Sequence, residues 1–220
     1  MVRQNRALYV ETTIRADIDE VWRLTQTPQL HSRWDLRFSL IAPEAAPPES
    51  TRPEGADSRS RFRYERRLPF HTIRGTGVSL GERTGAGGSR TSALVFSTSD
   101  PVSPLASGRG YWRYRPNSDG STTFSTGYDY VPFAGRAGAM LDRLVLRRVV
   151  WWMTAWSFDR LRIWAETGTP PESWPLASVA ALWRAERPKA SRCRSRPQRA
   201  PRNHDAMSDA PASLAGLAHE

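Results

Sequence analysis

The stretch RAGAMLDRLVLRRVVWWMTAWSFDRLRIWAE, residues 136–166, decides the fold. It contains no proline, and its only glycine, Gly138, lies near its start, so it predicts one helix of about 30 residues. At 100° per residue, six apolar side chains fall on one stripe: Leu141, Val145, Val149, Trp152, Trp156 and Ile163. Gly168 ends the helix. We therefore expect a long helix that buries this stripe against another layer.

Apolar and polar side chains alternate in the segments before this helix, as they do in half-buried strands. The first such segment is Leu8–Arg15. Asp17 then predicts a helix start with Glu20 as its capping-box partner, and a second short helix follows Thr27. The further predicted strands are 34–41, 60–66, 72–82, 90–97, 108–115 and 122–131. This order predicts an α+β fold with an antiparallel sheet of six to seven strands curved around the terminal helix.

Composition excludes several classes of site. The only cysteine, Cys193, excludes an intramolecular disulfide and a multi-cysteine metal site, and the four histidines lack a metal-site spacing. We therefore expect no metal and no cofactor. The longest apolar run, Val149–Phe158, has about half of the ~20 residues that span a bilayer, and no apolar segment opens the chain. These features predict a cytoplasmic protein.

Four motifs resemble those of the START-like superfamily, the SRPBCC or polyketide cyclase/dehydrase-like proteins. The first combines IRADIDEVW at 14–22 with Trp34-Asp35. GYWRY at 110–114, TGYDY at 126–130 and TAWSFDRLR at 154–162 resemble an uncharacterised bacterial branch. The resemblance covers about residues 7–168 and implies a helix-grip fold, in which a curved sheet and a long C-terminal helix enclose a hydrophobic cavity. It also implies lipid, sterol or polyketide ligands and, in some members, cyclisation or dehydration.

Aromatic side chains on the inferred inward faces are the main candidates for a binding site. They either line a pocket for an apolar ligand or form an ordinary packed core. Four tyrosine hydroxyls on one concave surface favour a cavity with polar anchors over a dry core. The candidate ligand-binding residues are Trp34, Phe38, Tyr64, Trp112, Tyr114, Tyr128, Tyr130, Trp152 and Trp156.

Three residues are weak candidates for proton transfer. Asp159 shares the helical stripe, where it would act as an acid or base or, as we favour, pair with Arg162. His71 lies near a strand start, where it would serve as a general base or, as we favour, stand solvated in a turn. The Tyr128 hydroxyl is the third candidate.

The chain divides into a predicted domain at 1–168 and a Pro/Arg-rich tail at 169–220. We expect a disordered tail with one short amphipathic helix at 174–186. The net charge of the chain is +10, and Arg184–Arg202 holds eight basic residues and one acid. This stretch is either solvated or in weak contact with an anionic membrane surface, which would be a peripheral location. Nucleic acid is the least favoured partner.

Three functions remain open at this stage. The first is binding of a hydrophobic small molecule or lipid between the sheet and the helix. The second is a polyketide cyclase/dehydratase-type enzyme that uses the same cavity, and we favour it less because no nucleophile–base pair is evident. The third is a non-catalytic partner-binding or regulatory module, in its simplest form a homodimer. Its contact surface would be a second apolar side of the helix: Leu146, Val150, Met153 and Trp164.

Overall fold

The computed structural model describes residues 7–44, 60–133, 135–198, 205–211 and 214 of the 220-residue chain. Its strands are β1 (Leu8–Ile14), β2 (Leu40–Pro43), β3 (Arg61–Arg67), β4 (Thr72–Thr84), β5 (Arg90–Ser97), β6 (Leu105–Pro116) and β7 (Thr122–Pro132). They form one sheet in the order β1-β7-β6-β5-β4-β3-β2, and all neighbouring strands are antiparallel. The predicted α+β architecture with a seven-stranded sheet is confirmed.

Two short helices, α1 (Ile18–Gln26) and α2 (Pro28–Trp34), follow β1. The Asp17 carboxylate accepts a hydrogen bond of 2.8 Å from the Glu20 N–H, which confirms the predicted N-cap. The Glu20 side chain accepts from Arg23 instead of closing the capping box. Both helices pack between the sheet and the long terminal helix, and so they close one end of the grip.

The long helix has three parts: α3 (Gly135–Leu141), a π-helical turn (Asp142–Leu146) and α4 (Arg147–Thr167). Gly168 ends it in the left-handed conformation at φ 72°, and the Gly168 N–H donates to the Trp164 carbonyl. Because a π turn holds more residues than an α turn, it changes which side chains face the sheet.

This change corrects the predicted faces of the helix. Trp156 and Ile163 are buried as expected, whereas the first half of the stripe, with Val145 and Val149, is exposed. Val150 and Met153, which the sequence assigned to an outer contact face, instead line the space under the sheet. The prediction assumed 100° per residue throughout, and the π turn breaks that regularity.

The predicted strand at 34–41 is wrong for most of its length, because Trp34 ends α2 and β2 begins only at Leu40. The Trp34 indole N–H donates to the Leu24 carbonyl at 3.0 Å. The Leu36 N–H donates to the Ser157 hydroxyl at 2.9 Å. These bonds tie Trp34 and Leu36 to α1 and α4 rather than to a neighbouring strand, so the alternation at 34–38 does not reflect a strand.

The main core fills only part of the grip. It lies between the helices and strands β1, β6 and β7, and it includes Trp34, Phe124, Trp156, Phe158 and Leu161. The Phe124 and Phe158 rings stack with centroids 4.5 Å apart. The remaining space, toward β2–β5, is not filled by this core and holds the site described below.

The described residues after Gly168 pack on the domain, unlike the disordered tail that the sequence predicts. Trp174, Ala190 and Cys193 belong to the main core, and Arg194 forms an antiparallel bridge with Glu11 at the free edge of β1. The predicted helix at 174–186 is replaced by a 3-10 turn at Leu176–Ala180. Asp159 on α4 holds the chain that follows, because it accepts from the Lys189 N–H and from Arg192.

A second part of this C-terminal segment covers the outer face of the sheet. The Tyr111 hydroxyl donates to the Ala206 carbonyl at 2.7 Å, and Leu214 packs in a small cluster with Ala93 and Tyr111. The outer face of β5 and β6 is therefore shielded by residues in which the sequence alone shows no pattern.

Candidate functional site

A cavity of about 580 Å³ lies between strands β2–β6 and helix α4. Its volume falls within the range of small-molecule sites in proteins. Most of its wall is aromatic or aliphatic and comes from both layers of the grip. The apolar wall includes Phe38, Ile41, Phe62, Tyr64, Ile73, Phe96, Trp112, Tyr128, Val150 and Met153.

Glycines opposite aromatic residues keep this space open. Phe62 is paired with Gly77 and Tyr64 with Gly75 across β3 and β4. A Cβ atom on Gly77 would lie 2.2 Å from the Phe62 ring, and one on Gly75 would lie 2.3 Å from the Tyr64 ring. The rings therefore lie over the glycine backbone instead of projecting across the grip. The glycines of 75–77 thus have a structural role in the shape of the cavity.

A polar cluster stands in this apolar wall at the end of α2. The buried Asp35 carboxylate accepts from the His31 Nε2–H at 3.2 Å and from Arg37 Nη2 at 2.7 Å. The His31 ring stacks on Trp34 and meets the edge of Trp112, with centroids 4.9 and 4.7 Å apart. His31 and Arg37 both line the cavity. Two hydrogen-bonding side chains are thus held rigidly at an apolar surface.

The charges of this cluster balance one another. Burial raises the pKa of Asp35, but the Arg37 charge and the bonds from His31 and Arg37 outweigh it, so the pKa is well below its usual range. Burial likewise lowers the pKa of His31 more than Asp35 raises it. Near neutral pH the cluster therefore holds one anion, one cation and a neutral imidazole.

The cluster also has hydrogen-bonding capacity that a ligand could use. With its Nε2–H donated to Asp35, a neutral His31 keeps a lone pair on Nδ1, which has no hydrogen bond to any described residue. Arg37 has the Tyr128 hydroxyl as a hydrogen-bonding neighbour in addition to Asp35. The cavity wall therefore offers one unpaired acceptor, His31 Nδ1, beside the Arg37 guanidinium.

Tyr128 adds a hydroxyl to the same wall. Its oxygen lies 3.0 Å from the Thr154 hydroxyl, which itself donates to the Val150 carbonyl. Since Thr154 uses its proton there, the Tyr128 hydroxyl donates to Thr154 and retains acceptor capacity. Burial raises the pKa of Tyr128, so the phenol stays neutral. The Arg37 guanidinium lies 5.6 Å from the centre of the Tyr128 ring.

The structure separates the nine predicted ligand-binding residues into two groups. Phe38, Tyr64, Trp112 and Tyr128 line the cavity. The other five pack elsewhere: Trp34, Tyr114, Tyr130, Trp152 and Trp156.

The buried hydroxyls in the second group are used within the fold. The Tyr114 hydroxyl bonds Thr25 at 2.7 Å, and the Tyr130 hydroxyl donates to Asp142 at 2.5 Å. These two tyrosines face the helices rather than the cavity, which explains why counting inward faces of strands overestimated the binding surface.

Two of the proton-transfer candidates lie outside the cavity lining. Asp159 is completely buried and accepts from Arg162, from the Lys189 N–H and from Arg192, so it has the ion-pair environment that the sequence favoured. His71 bonds Asp100 at 2.8 Å in a half-exposed turn. Tyr128 is the one candidate of the three in the cavity wall.

Sequence reasoning missed His31, Asp35 and Arg37. His31 and Asp35 are four residues apart, the spacing at which side chains on one helical turn meet. This spacing is a signal in the sequence. The alternation at 34–41 instead predicts a strand, in which neighbouring side chains lie on opposite faces.

Solved structures share this architecture. The Zhui aromatase/cyclase from Streptomyces sp. R1128 superposes with a TM-score of 0.50 over 75% of this chain and 98% of its own, at 13% identity. The chain has a START-like helix-grip fold. A START superfamily protein from Mycobacterium smegmatis is 12% identical, with a TM-score of 0.44 over 70% of this chain and 94% of that protein. No family model matches the chain.

One curated relative is similar in sequence. The chain is 37% identical over 177 residues to an uncharacterized membrane protein, YndG, of Bacillus subtilis (strain 168). The match covers 80% of this chain and 63% of that relative, so the chain spans less than two thirds of its length. Within the described residues, no helix has the length and hydropathy needed to cross a membrane.

Proposed function

We propose that this protein binds a hydrophobic small molecule or lipid in the cavity between the sheet and α4. The observation that carries the proposal is the cavity of about 580 Å³, whose wall is mostly apolar and includes the polar pair His31 and Arg37. Burial of apolar ligand surface would supply most of the affinity, at about 25 cal/mol per Å². The aromatic side chains provide that surface with little loss of conformational entropy.

The polar end of the ligand would lie at His31, Arg37 and Tyr128. A carbonyl or carboxylate oxygen would accept from the Arg37 guanidinium, and a hydroxyl would donate to His31 Nδ1 or to the Tyr128 oxygen. Because the charge of Arg37 is balanced by Asp35, the cluster suits a neutral polar group as well as an acid. We therefore propose an amphiphile rather than a pure hydrocarbon.

Fluorescence titration with N-phenyl-1-naphthylamine tests this proposal. Met153→Trp places a larger side chain in the cavity, and we expect it to raise the probe Kd about tenfold or more. Met140→Trp, on the exposed side of the helix, is the matched control and should leave the Kd unchanged. Probe binding that is absent, or equal in both variants, would refute a ligand site in this cavity.

A second candidate function is catalysis of cyclisation or dehydration in the same cavity. The observation that favours it is the pairing of His31 with Asp35 at the cavity wall, which would let Nδ1 take a proton next to a ligand carbonyl. The aromatase/cyclase whose fold this chain shares supports the same idea. We expect His31→Gln to abolish formation of an aromatic product from a linear poly-β-keto thioester while probe binding persists. A wild type without turnover leaves binding as the function.

A further inference from the structure

One side of the long helix carries an apolar stripe that no described residue covers. We define the apolar stripe as Met140, Leu141, Leu144, Val145 and Val149, whose exposed fractions run from 44% to 67%. The π-helical turn keeps these residues in line, because their spacing is close to four rather than 3.6 residues per turn. Contiguous exposed apolar surface of this kind marks a contact with a partner or a membrane.

Leu68 and Val102 are exposed residues of the cavity lining, and we call the opening between them the mouth. The apolar stripe lies at the same end of the sheet. The turn between β3 and β4, the loop between β5 and β6 and the start of the helix all meet at that end. His71 and Asp100 join the turn to the loop, and the Phe133 N–H donates to the Pro104 carbonyl at 3.0 Å. The mouth and the start of the helix are therefore one continuous surface.

Further exposed apolar side chains surround the mouth itself. Phe70 is fully exposed at the tip of the turn, and Leu68 and Val102 are both exposed to solvent and part of the cavity lining. Exposed apolar side chains thus lie both on the apolar stripe and at the mouth of the cavity.

The charged groups at this end are mainly basic. Arg143 and Arg148 are exposed beside the apolar stripe, and neither has an ion pair with a described residue. Across the mouth, Arg67 and Arg74 share the single carboxylate of Glu65 at 3.8 and 3.5 Å. An apolar surface bordered by unpaired arginines matches the boundary between acyl chains and anionic headgroups.

We propose that this end of the molecule docks on an anionic phospholipid bilayer, with the apolar stripe in the headgroup–acyl boundary and the cavity mouth facing the lipid. A second copy fits less well, because a two-fold contact through the apolar stripe would bring Arg143 and Arg148 of both copies together. Arg148 also lines a pocket together with Ser195 and Arg196, so the surface adjoins the described part of the basic C-terminal segment. The proposal does not require that the cavity hold a ligand.

Vesicle flotation of the full chain tests the docking surface. We expect binding to vesicles of phosphatidylcholine mixed with phosphatidylglycerol, and much weaker binding to phosphatidylcholine alone. Leu141→Ser/Leu144→Ser and Arg143→Glu/Arg148→Glu should each lower the partition coefficient about tenfold or more. Arg61→Glu/Arg83→Glu changes the same charge at the opposite end of the sheet, and we expect it to stay within about twofold of wild type.

Three results would overturn the proposal. The first is a wild-type protein that does not float with anionic vesicles. The second is equal loss in the control variant, which would indicate net charge alone. The third is a dimer in light scattering that Leu141→Ser/Leu144→Ser dissociates, which would make the apolar stripe an interface between copies. Circular dichroism of each variant verifies that it is folded, and the arginine pair tests the surface even if the leucine pair unfolds.

Discussion

Replacement of Asp159 by asparagine should destabilise the protein without touching the cavity. The carboxylate is completely buried, and it accepts from Arg162 Nε at 2.6 Å, from the Lys189 N–H at 2.7 Å and from Arg192 Nη1 at 2.9 Å. An asparagine of nearly the same shape has one acceptor oxygen instead of two. Its NH₂ group would face donors on one side, so at least one charge-assisted bond is lost.

The magnitude follows from these contacts and from the exposure of the partners. Breaking a buried pair costs about 3–5 kcal/mol, but Arg162 and Arg192 are 19% and 33% exposed and can turn toward water. We therefore expect a loss of about 2–3 kcal/mol in the free energy of unfolding, which corresponds to a urea midpoint lower by about 1 M. Tryptophan fluorescence during urea unfolding measures it.

A control and a double-mutant cycle sharpen this measurement. Asp19→Asn breaks an exposed pair with Arg90 and should change the free energy of unfolding by less than about 0.5 kcal/mol. Truncation after Gly168 removes Lys189 and Arg192, so Asp159→Asn should have a smaller effect in the truncated chain. If Asp159→Asn leaves the stability within the range of the control, or if its effect is unchanged by truncation, the anchoring role assigned to Asp159 is wrong.

Three further results are expected. Burial raises the pKa of Cys193 to about 12, so the native thiol should react slowly with Ellman's reagent at pH 8 and rapidly in urea; fast native labelling would contradict this packing. Burial lowers the pKa of His31 below its unfolded value near 6.5, so the unfolded state binds more protons and stability should fall as pH drops below that value; His31→Gln should flatten this slope in unfolding curves, and parallel slopes would show that His31 does not cause it. Gly77→Ala should push the Phe62 ring toward the cavity and weaken naphthylamine binding, and an unchanged Kd would show that the ring has another place to go.

Local patterns predicted the fold well because they depend on neighbouring residues. The cap at Asp17 needs one carboxylate and a free N–H three residues later, and both are fixed by sequence. The helix that ends at Gly168 is likewise a local property. The predicted strand at 34–41 is wrong because the Trp34 indole and the Leu36 N–H form hydrogen bonds with α1 and α4. Such contacts between distant parts of the chain do not produce a periodic sequence pattern.

The candidate site depended even more on long-range contacts. Phe62 and Tyr64 line an open space only because Gly77 and Gly75 lie opposite them, and this register is set by strand pairing. The inward turn of Val150 follows from the π-helical turn before it. The cavity wall therefore depends on the end of α2, on the pairing of β3 with β4 and on the π-helical turn, which are far apart in the sequence.

The same geometry decides where a ligand would enter. The C-terminal half of α4 is fixed by stacked aromatic rings and by Asp159, so its opening would disrupt the main core and the C-terminal segment together. The part of the long helix before Val150 has an exposed apolar face and the π-helical turn, and here Leu146 and Val150 pack against Tyr128 and Tyr130 of the sheet. Local opening occurs where fewest apolar contacts are broken.

A ligand should therefore enter at the end of the grip that carries the apolar stripe. Amide exchange should be faster for residues 138–149 than for 154–163 in the ligand-free protein. Equal protection of the two segments would place the entry elsewhere, because the helix would then open only as a whole.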